Sequence, residues 1–363
     1  MLTLIINAPI GRITMRIFTK ILILIIITAI LTTTLIGSVQ INIGVSSNVA
    51  SRNPVKVGVL LFDFRDPYMS LVRQSLENIQ KVNESKVEFT FFDGKGDQAI
   101  QNDVIDSVIQ NDFELLLVNL VDINTAVESV IDKVKQKNIP IILFNTAPDN
   151  IVPIQSYEKA VVVATDAEQS GVLQGKILVD AWNTDKKAID KNEDNILQYI
   201  MLMGPRNNTQ TIARTKYSIL TINNAGIETQ ELASKFCNWN EEEAKNAIEP
   251  LFLTYGNKIE AIIANNDAMA IGAIEALQKY GYNNGDKAKT ISVVGIDAIP
   301  AAQDLIKKGF MAGTVIQDPS ETAEALYTVG MNLVSNKVPL DGTNYKFDDT
   351  GVVIKMPYHK YIP

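Results

Sequence analysis

From Lys56 onward, short runs of β-branched and aliphatic residues alternate with longer stretches whose apolar positions recur at helical spacing. The first series of runs is KVGVLLF (Lys56–Phe62), KVEFTFFD (Lys86–Asp93), LLLVNLVD (Leu115–Asp122), IPIILFN (Ile139–Asn145) and AVVVAT (Ala160–Thr165). The second is ILQYIMLMG (Ile196–Gly204), IEAIIANND (Ile259–Asp267), ISVVGID (Ile291–Asp297) and MAGTVIQD (Met311–Asp318). Between them, Ser70–Lys81 places Leu71, Val72, Leu76 and Ile79 on one helical face, and Ala268–Lys279 does the same with Met269, Ile271, Ile274 and Leu277. Near-continuous apolar strands alternating with amphipathic helices predict parallel sheets covered on both faces. Two such series predict an α/β chain of two doubly wound lobes.

The N-terminus breaks this pattern. Arg16 and Lys20 precede an uncharged, largely apolar run from Ile21 to Gly37. Positive residues before such a core read as a secretory signal peptide. An uncleaved anchor and a buried helix are the alternatives left open, since the run is long for a signal core and short for a membrane span. Val45–Ser47 and Asn48–Ala50 are small-residue candidates for the cleavage end, and Met15 before Arg16 is a more usual start than Met1. Residues 1–50 are therefore expected to be a leader, and the working place of the protein the periplasm.

Composition narrows the chemistry. The 363 residues carry 33 Lys+Arg against 41 Asp+Glu, a net charge of −8. An acidic chain gains nothing from phosphate counterion release, so nucleic-acid binding is not expected. One His and one Cys exclude a disulfide framework, a Cys/His zinc site and a Cys–His nucleophile pair. His359 lies beside the C-terminus, away from any triad, and Cys237 reads as a small packing residue. No phosphate-binding glycine loop and no G-x-S-x-G elbow occurs. What recurs is a polar residue where most of these runs stop: Asp93, Asp122, Asn145, Thr165 with Asp166, Asn266 with Asp267, Asp297, and Gln317 with Asp318. Any one of these is explained by turn preference. Their recurrence in both series suits a cleft at the strands' carboxyl ends, lined by amides and carboxylates for a neutral polyol.

The stretches FDFRDPYMS (Phe62–Ser70), QNDVID (Gln101–Asp106), NLVD (Asn119–Asp122), IEAIIANNDAMAIGAIEAL (Ile259–Leu277), VVGIDAIP (Val293–Pro300), AGTV (Ala312–Val315) and DGTN (Asp341–Asn344) carry a resemblance. The chain resembles the periplasmic D-galactose/D-glucose-binding proteins of ABC sugar importers, a branch of the type I periplasmic binding proteins. The resemblance implies that Asp66 grips the sugar O4 hydroxyl and that Tyr68 and Trp239 stack on its two faces. It implies that Asn145, Arg214, Asn266 and Asp297 are polar ligand contacts. Three positions depart: Asn208 stands where the family has His, Gln210 where it has Asp, and Gln317 where it has Asn. Aromatic faces on sugar C–H patches and charged groups on hydroxyls make physical sense of the set.

The same resemblance implies a structural calcium ion. Asp190, Asn192, Asp194, the carbonyl of Ile196 and Gln198 stand at alternating positions of a loop, with Glu260 supplying the distant carboxylate and Asn195 replacing glycine at the turn. It further implies lobes of 55–165 with 319–351 and 166–318 with 352–363, joined near Thr165–Asp166, Ile316–Asp318 and Val352–Lys355. The implied partners are a monosaccharide, an ABC permease and a chemoreceptor, the protein acting as a monomer and not as an enzyme. A sugar-responsive repressor of the same fold would need a basic DNA-binding segment before Lys56, where the apolar leader stands. An exported glycosidase using cleft carboxylates is the enzymatic alternative.

Overall fold

The computed structural model describes residues 53–363, which form one compact unit. The expected leader, residues 1–50, lies outside the described residues. Among the described residues no helix is long and apolar enough to cross a membrane. The chain runs β1 (Val55–Leu61), α1 (Pro67–Val82), β2 (Val87–Asp93), α2 (Gln98–Ile109), β3 (Leu115–Val118), α3 (Ile123–Gln136), β4 (Ile141–Asn145), α4 (Val152–Gln155) and β5 (Ala160–Thr165). It continues through α5 (Ala167–Thr184), α6 (Lys186–Ile189), β6 (Ile196–Met203), α7 (Thr209–Asn224), β7 (Glu228–Phe236), α8 (Glu241–Tyr255), β8 (Ala261–Ala264), α9 (Asp267–Gln278), β9 (Ser292–Val294) and α10 (Pro300–Lys307). The last elements are β10 (Thr314–Gln317), α11 (Pro319–Val334), β11 (Val353–Met356) and β12 (Tyr358–Tyr361).

The first sheet is parallel throughout, in the order β11-β5-β4-β3-β1-β2. Its central strands are buried on both sides, which is why LLLV and AVVVA show no alternation. One face packs against α1 and α11 through Val72, Leu76, Leu326 and Val329. The other packs against α2 and α3 through Ile105, Val127, Val130 and Ile131. The second sheet, β7-β6-β8-β9, is also parallel. It is covered by α8, α9 and α10 on one side and by α5 and α7 on the other. β10 pairs antiparallel with β12, and isolated bridges Val294–Gly313 and Asp297–Ile316 attach it beside β9.

The polar strand ends do two jobs. Asp122, Asp166 and Asp318 accept hydrogen bonds from the first backbone N–H groups of the helices that follow them, as turn-forming residues should. Asp66, Asn208 and Asn266 cap α1, α7 and α9 in the same way while facing the space between the sheets.

Three strands escape the hydrophobic pattern. β7 is an edge strand, exposed or half-buried along its length, so its sequence ETQELASKF carries no apolar run. β11 and β12 are four-residue strands on either side of Pro357. The segment 352–363, expected to belong wholly to the second lobe, divides. Val353–Met356 pairs in parallel with Val162–Thr165 of the first sheet, and only Tyr358–Tyr361 joins the second. The third crossing therefore falls at Pro357, whose missing N–H ends the ladder, rather than at Val352–Lys355. The other crossings follow β5 and β10.

The close approach of α8 to α9 depends on Gly272. A Cβ there would lie 2.0 Å from the Glu241 carbonyl oxygen, a backbone atom that cannot swing aside. Gly272→Ala should therefore part the helices and cost about 1–3 kcal/mol, the usual range for overpacking. Urea unfolding checks this, and an unchanged midpoint would show that the helices separate freely.

Candidate functional site

The carboxyl ends of both sheets face a cavity of about 460 Å³. All ten positions singled out from the sequence line it: Asp66, Tyr68 and Asn145 from the first sheet's side, and Asn208, Gln210, Arg214, Trp239, Asn266, Asp297 and Gln317 from the second. The structure thus brings the whole set together around one space.

At its centre is Arg214, 2% exposed. The polar face of α7 carries it inward. Nη1 donates to the Asn265 carbonyl at 2.8 Å; Nη2 donates to the Tyr358 hydroxyl at 3.0 Å and to Gln317 Oε1 at 3.4 Å. Among the described residues its Nε has no hydrogen-bond partner. Three carboxylates share its charge. Burial pushes Asp66 up to about 6, against the pull of the Met69 N–H, which its Oδ1 accepts at 2.8 Å. Burial pushes Asp267 up to about 7, although Thr314 Oγ1 and the Ile299 N–H donate to it at 2.6 and 3.0 Å. Asp297 is raised further by burial; Arg214 pulls it down, and Asp267 and Asp66 push it up. Asp297 also sits at φ +121°, a strained setting for a side-chain-bearing residue, and is held there by Asp297 N–H donating to Val315 O at 2.8 Å.

Amides bridge the two sides. Gln317 Nε2 donates to Asn145 Oδ1 at 2.8 Å, which leaves the Asn145 amide nitrogen to donate elsewhere. Gln210 Nε2 donates to the Asn145 carbonyl at 2.9 Å. At the rim, Thr209 Oγ1 donates to Asp149 Oδ1 at 3.2 Å.

The aromatics are fixed by neighbours. The Tyr68 hydroxyl shares a hydrogen with Thr322 Oγ1 at 3.3 Å, and its ring is buried. Trp239 follows Asn238 in a pair of left-handed residues, at φ +65° and +51°. Asn266 Nδ2 donates to the Trp239 carbonyl at 3.2 Å. The indole lies against Gly204, where a Cβ would meet Trp239 Cζ2 at 2.3 Å. Only glycine leaves the ring this seat.

The sequence reading missed Tyr358, Asn265 and Gly204. Tyr358 stands beside the lone His359 in PYHKYIP, and only the histidine drew notice there. His359 itself is exposed on β12. Cys237 is buried, and burial pushes its thiol up to about 11.

The residues expected to hold calcium lie apart from the cleft, on the loop before β6. Asp190 accepts from the N–H groups of Asp194 and Asn195, each at 3.1 Å, and Lys186 Nζ stands 3.6 Å away. Glu260 accepts from the N–H groups of Lys191 and Gln198 at 2.8 and 3.0 Å. Gln198 and Asn192 both donate to Asp194 Oδ2, at 2.7 and 2.9 Å, and the Ile196 N–H donates to Asp194 Oδ1. Asn195 takes the left-handed turn at φ +69° in place of glycine. Among the described residues no group of three or more His, Cys, Asp or Glu is gathered closely enough to hold a metal ion as it stands.

The profile of the periplasmic binding protein domain family matches residues 57–337. The chain is 34% identical over 314 residues to the D-galactose/methyl-galactoside binding periplasmic protein of Haemophilus influenzae, covering 86% of this chain and 90% of that one. A solute-binding protein of an ABC transporter from Bacillus halodurans, solved with myo-inositol, shares its fold at a TM-score of 0.69 and 24% identity, covering 86% of this chain and 95% of that one. A periplasmic solute-binding protein from Actinobacillus succinogenes, solved with D-allose, does so at 0.70 and 21% identity, covering 85% and 98%.

A raised carboxyl pKa has a definite sign for stability. Asp66 at about 6 and Asp267 at about 7 bind protons in the folded protein that an unfolded carboxylate, near 3.8, releases. Their stabilising contribution is full below about pH 4 and is lost as pH rises through 6 to 7. The melting temperature should therefore gain from these groups between pH 8 and pH 5.5. That gain should shrink in Asp66→Asn and in Asp267→Asn. An equal gain in both variants would place the protons elsewhere.

Proposed function

Because the chain belongs to the periplasmic binding protein domain family, we propose that it is the periplasmic capture subunit of an ABC sugar importer. It takes a hexose, galactose or glucose, into the cleft between its sheets and hands it to a membrane permease, as a monomer and without catalysis. Its relatives are substrate-binding proteins, which removes the glycosidase alternative.

The observation that carries the reading is the balance of groups left to a ligand. Asp66 and Asp297 offer carboxyl oxygens; Arg214 and the Asn145 amide donate; Tyr68 and Trp239 supply aromatic surface. A hydroxyl both donates and accepts, so a ring of hydroxyls satisfies such a mixed set where an anion or a cation leaves part of it unpaired. An unpaired buried group costs about 1–3 kcal/mol, which makes the arrangement selective. The departures at Gln210 and Gln317 favour a second reading within the class, another monosaccharide or cyclic polyol, because both amides are engaged with Asn145. A chemoreceptor as a further partner rests on the resemblance alone.

Calorimetry of the mature protein against a panel of hexoses, pentoses and polyols tests the reading. Galactose or glucose should bind below millimolar concentration and change the fluorescence of Trp239. Trp239→Ala should weaken binding by about 2 kcal/mol or more, the usual loss for a buried anchoring aromatic. No binding of either hexose would overturn the assignment; an unaltered affinity in the variant would make Trp239 a packing residue.

We further propose that a calcium ion sits on the loop before β6. The donor set fits a hard cation: carboxylates at Asp190, Asp194 and Glu260, amides at Asn192 and Gln198, and a carbonyl at Ile196. Burial raises Glu260, and Asp190 and Asp194 push it up as well, a crowding of acids that a cation would relieve. Turning the two amides would present oxygen in place of nitrogen. Chelation should lower the melting temperature and leave hexose affinity in place, with Asp194→Ala acting likewise. At a hundredfold excess over Kd the ion contributes about 2.7 kcal/mol. Identical melting curves in calcium and in EGTA would remove it.

A further inference from the structure

One hydroxyl touches all three places where the chain passes between the sheets. Thr165 ends β5 at the first crossing, Gln317 ends β10 at the second, and Tyr358 opens β12 after Pro357 at the third. The Tyr358 hydroxyl lies 2.7 Å from Thr165 Oγ1 and 3.1 Å from Gln317 Oε1, with its one hydrogen to donate to either. It accepts from Arg214 Nη2 at 3.0 Å. Thr165 Oγ1 in turn donates to the Asn145 carbonyl at 3.3 Å. The Tyr358 N–H donates to Gln169 Oε1 at 3.1 Å, tying the start of β12 to α5. Tyr358, Arg214 and Gln317 are each 3% exposed or less, so no water competes for these bonds.

The geometry follows from where each residue sits. Arg214 belongs to the second lobe through α7; Thr165 belongs to the first through β5. A guanidinium carries five N–H donors; three of them are spent on Asn265, Gln317 and Tyr358, which fixes its plane, and one Nη1 hydrogen and the Nε hydrogen remain. Hydrogen bonds of 2.7–3.1 Å are largely lost once the atoms part by about 1 Å. A change in the angle between the sheets moves Thr165, on β5 of the first sheet, relative to Gln317 and Tyr358, which are paired on β10 and β12. The bond to Thr165 then cannot persist alongside those to Gln317 and Arg214, and the hydroxyl loses the partner that holds it in place.

We propose that Tyr358 is the positioning residue of the cleft: its hydroxyl aims Arg214 at the ligand and does so only when the three crossings are in the register seen here. This rests on the reading of the cleft as the sugar site. Tyr358 touches no ligand itself. It makes the placing of the central cation conditional on the angle between the lobes, so that ligand held by Arg214 and closure of the cleft favour each other.

Tyr358→Phe tests the proposal, with Tyr157→Phe as its control. The Tyr157 hydroxyl is another tyrosine hydroxyl engaged inside the protein, donating to the Ile139 carbonyl at 3.0 Å within the first lobe, far from the crossings. Both variants should lose a similar few degrees of melting temperature. Only Tyr358→Phe should speed amide hydrogen exchange in the ligand-free protein across residues 165–166, 317–318 and 356–358. Only Tyr358→Phe should weaken hexose binding, by about tenfold and chiefly through faster dissociation. Exchange at the crossings no faster than in Tyr157→Phe overturns the proposal, as does parental affinity in Tyr358→Phe. If the parent protein binds no hexose, the sugar reading fails, and the exchange comparison still decides the role of Tyr358.

Discussion

A single buried guanidinium organises the space between the two sheets. Arg214 is enclosed with Asp66, Asp267 and Asp297, so its charge is opposed by more carboxyl groups than it can neutralise. Isolated buried charges are costly, and the two ways out are pairing and protonation. Both are used here. Arg214 pulls on each acid, and burial lifts all three toward or past neutrality. The result is a set of carboxyl groups whose proton content depends on what lies beside them. Hydroxyls donating to an acid favour its charged form, so the proton content of these acids responds to the donors set beside them.

The local chemistry that builds the helices is the same chemistry that furnishes the site. Asp66, Asn208 and Asn266 are N-caps, each holding the first turn of its helix with one oxygen. Capping fixes the side chain in one rotamer and aims the rest of it into the cavity. The sheet ends thus present polar groups already ordered by secondary structure, so little further entropy is lost when a ligand meets them. Trp239 is prepared by different means: two left-handed residues, a carbonyl held by Asn266, and a seat on Gly204 where no side chain would fit.

The fold was legible because its strands are buried on both faces and read as unbroken apolar runs. The polar cavity lining was legible because those runs stop on Asx residues. What was not legible follows from the same logic. β7 is a partly solvated edge whose residues alternate in no apolar pattern, and β11 and β12 are too short to show a period. The point where the last segment changes sheets is set by Pro357, one residue in a stretch that hydropathy alone does not divide. Tyr358 was hidden because its importance lies in what meets its hydroxyl from Thr165, Gln317 and Arg214, residues separated by up to 193 positions in the chain.

The positions that depart from the galactose-binding pattern show how such long-range bonds redirect a site. A carboxylate at position 210 could only accept; Gln210 donates, and its amide is spent on the Asn145 carbonyl across the cleft. A shorter amide at position 317 would have to shift its neighbours to reach Arg214, Tyr358 and Asn145 together; Gln317 spans all three. Each substitution takes hydrogen-bonding capacity away from the cavity and places it in the joint between the sheets. Two consequences are bound together by that exchange. The Asn145 carbonyl and side-chain oxygen are taken up by Gln210 and Gln317 instead of facing the cavity unpaired. The joint gains bonds that tie the two sheets, and because Gln317 also accepts from Arg214 and Tyr358, the same side chain that occupies Asn145 fixes the setting of the buried guanidinium.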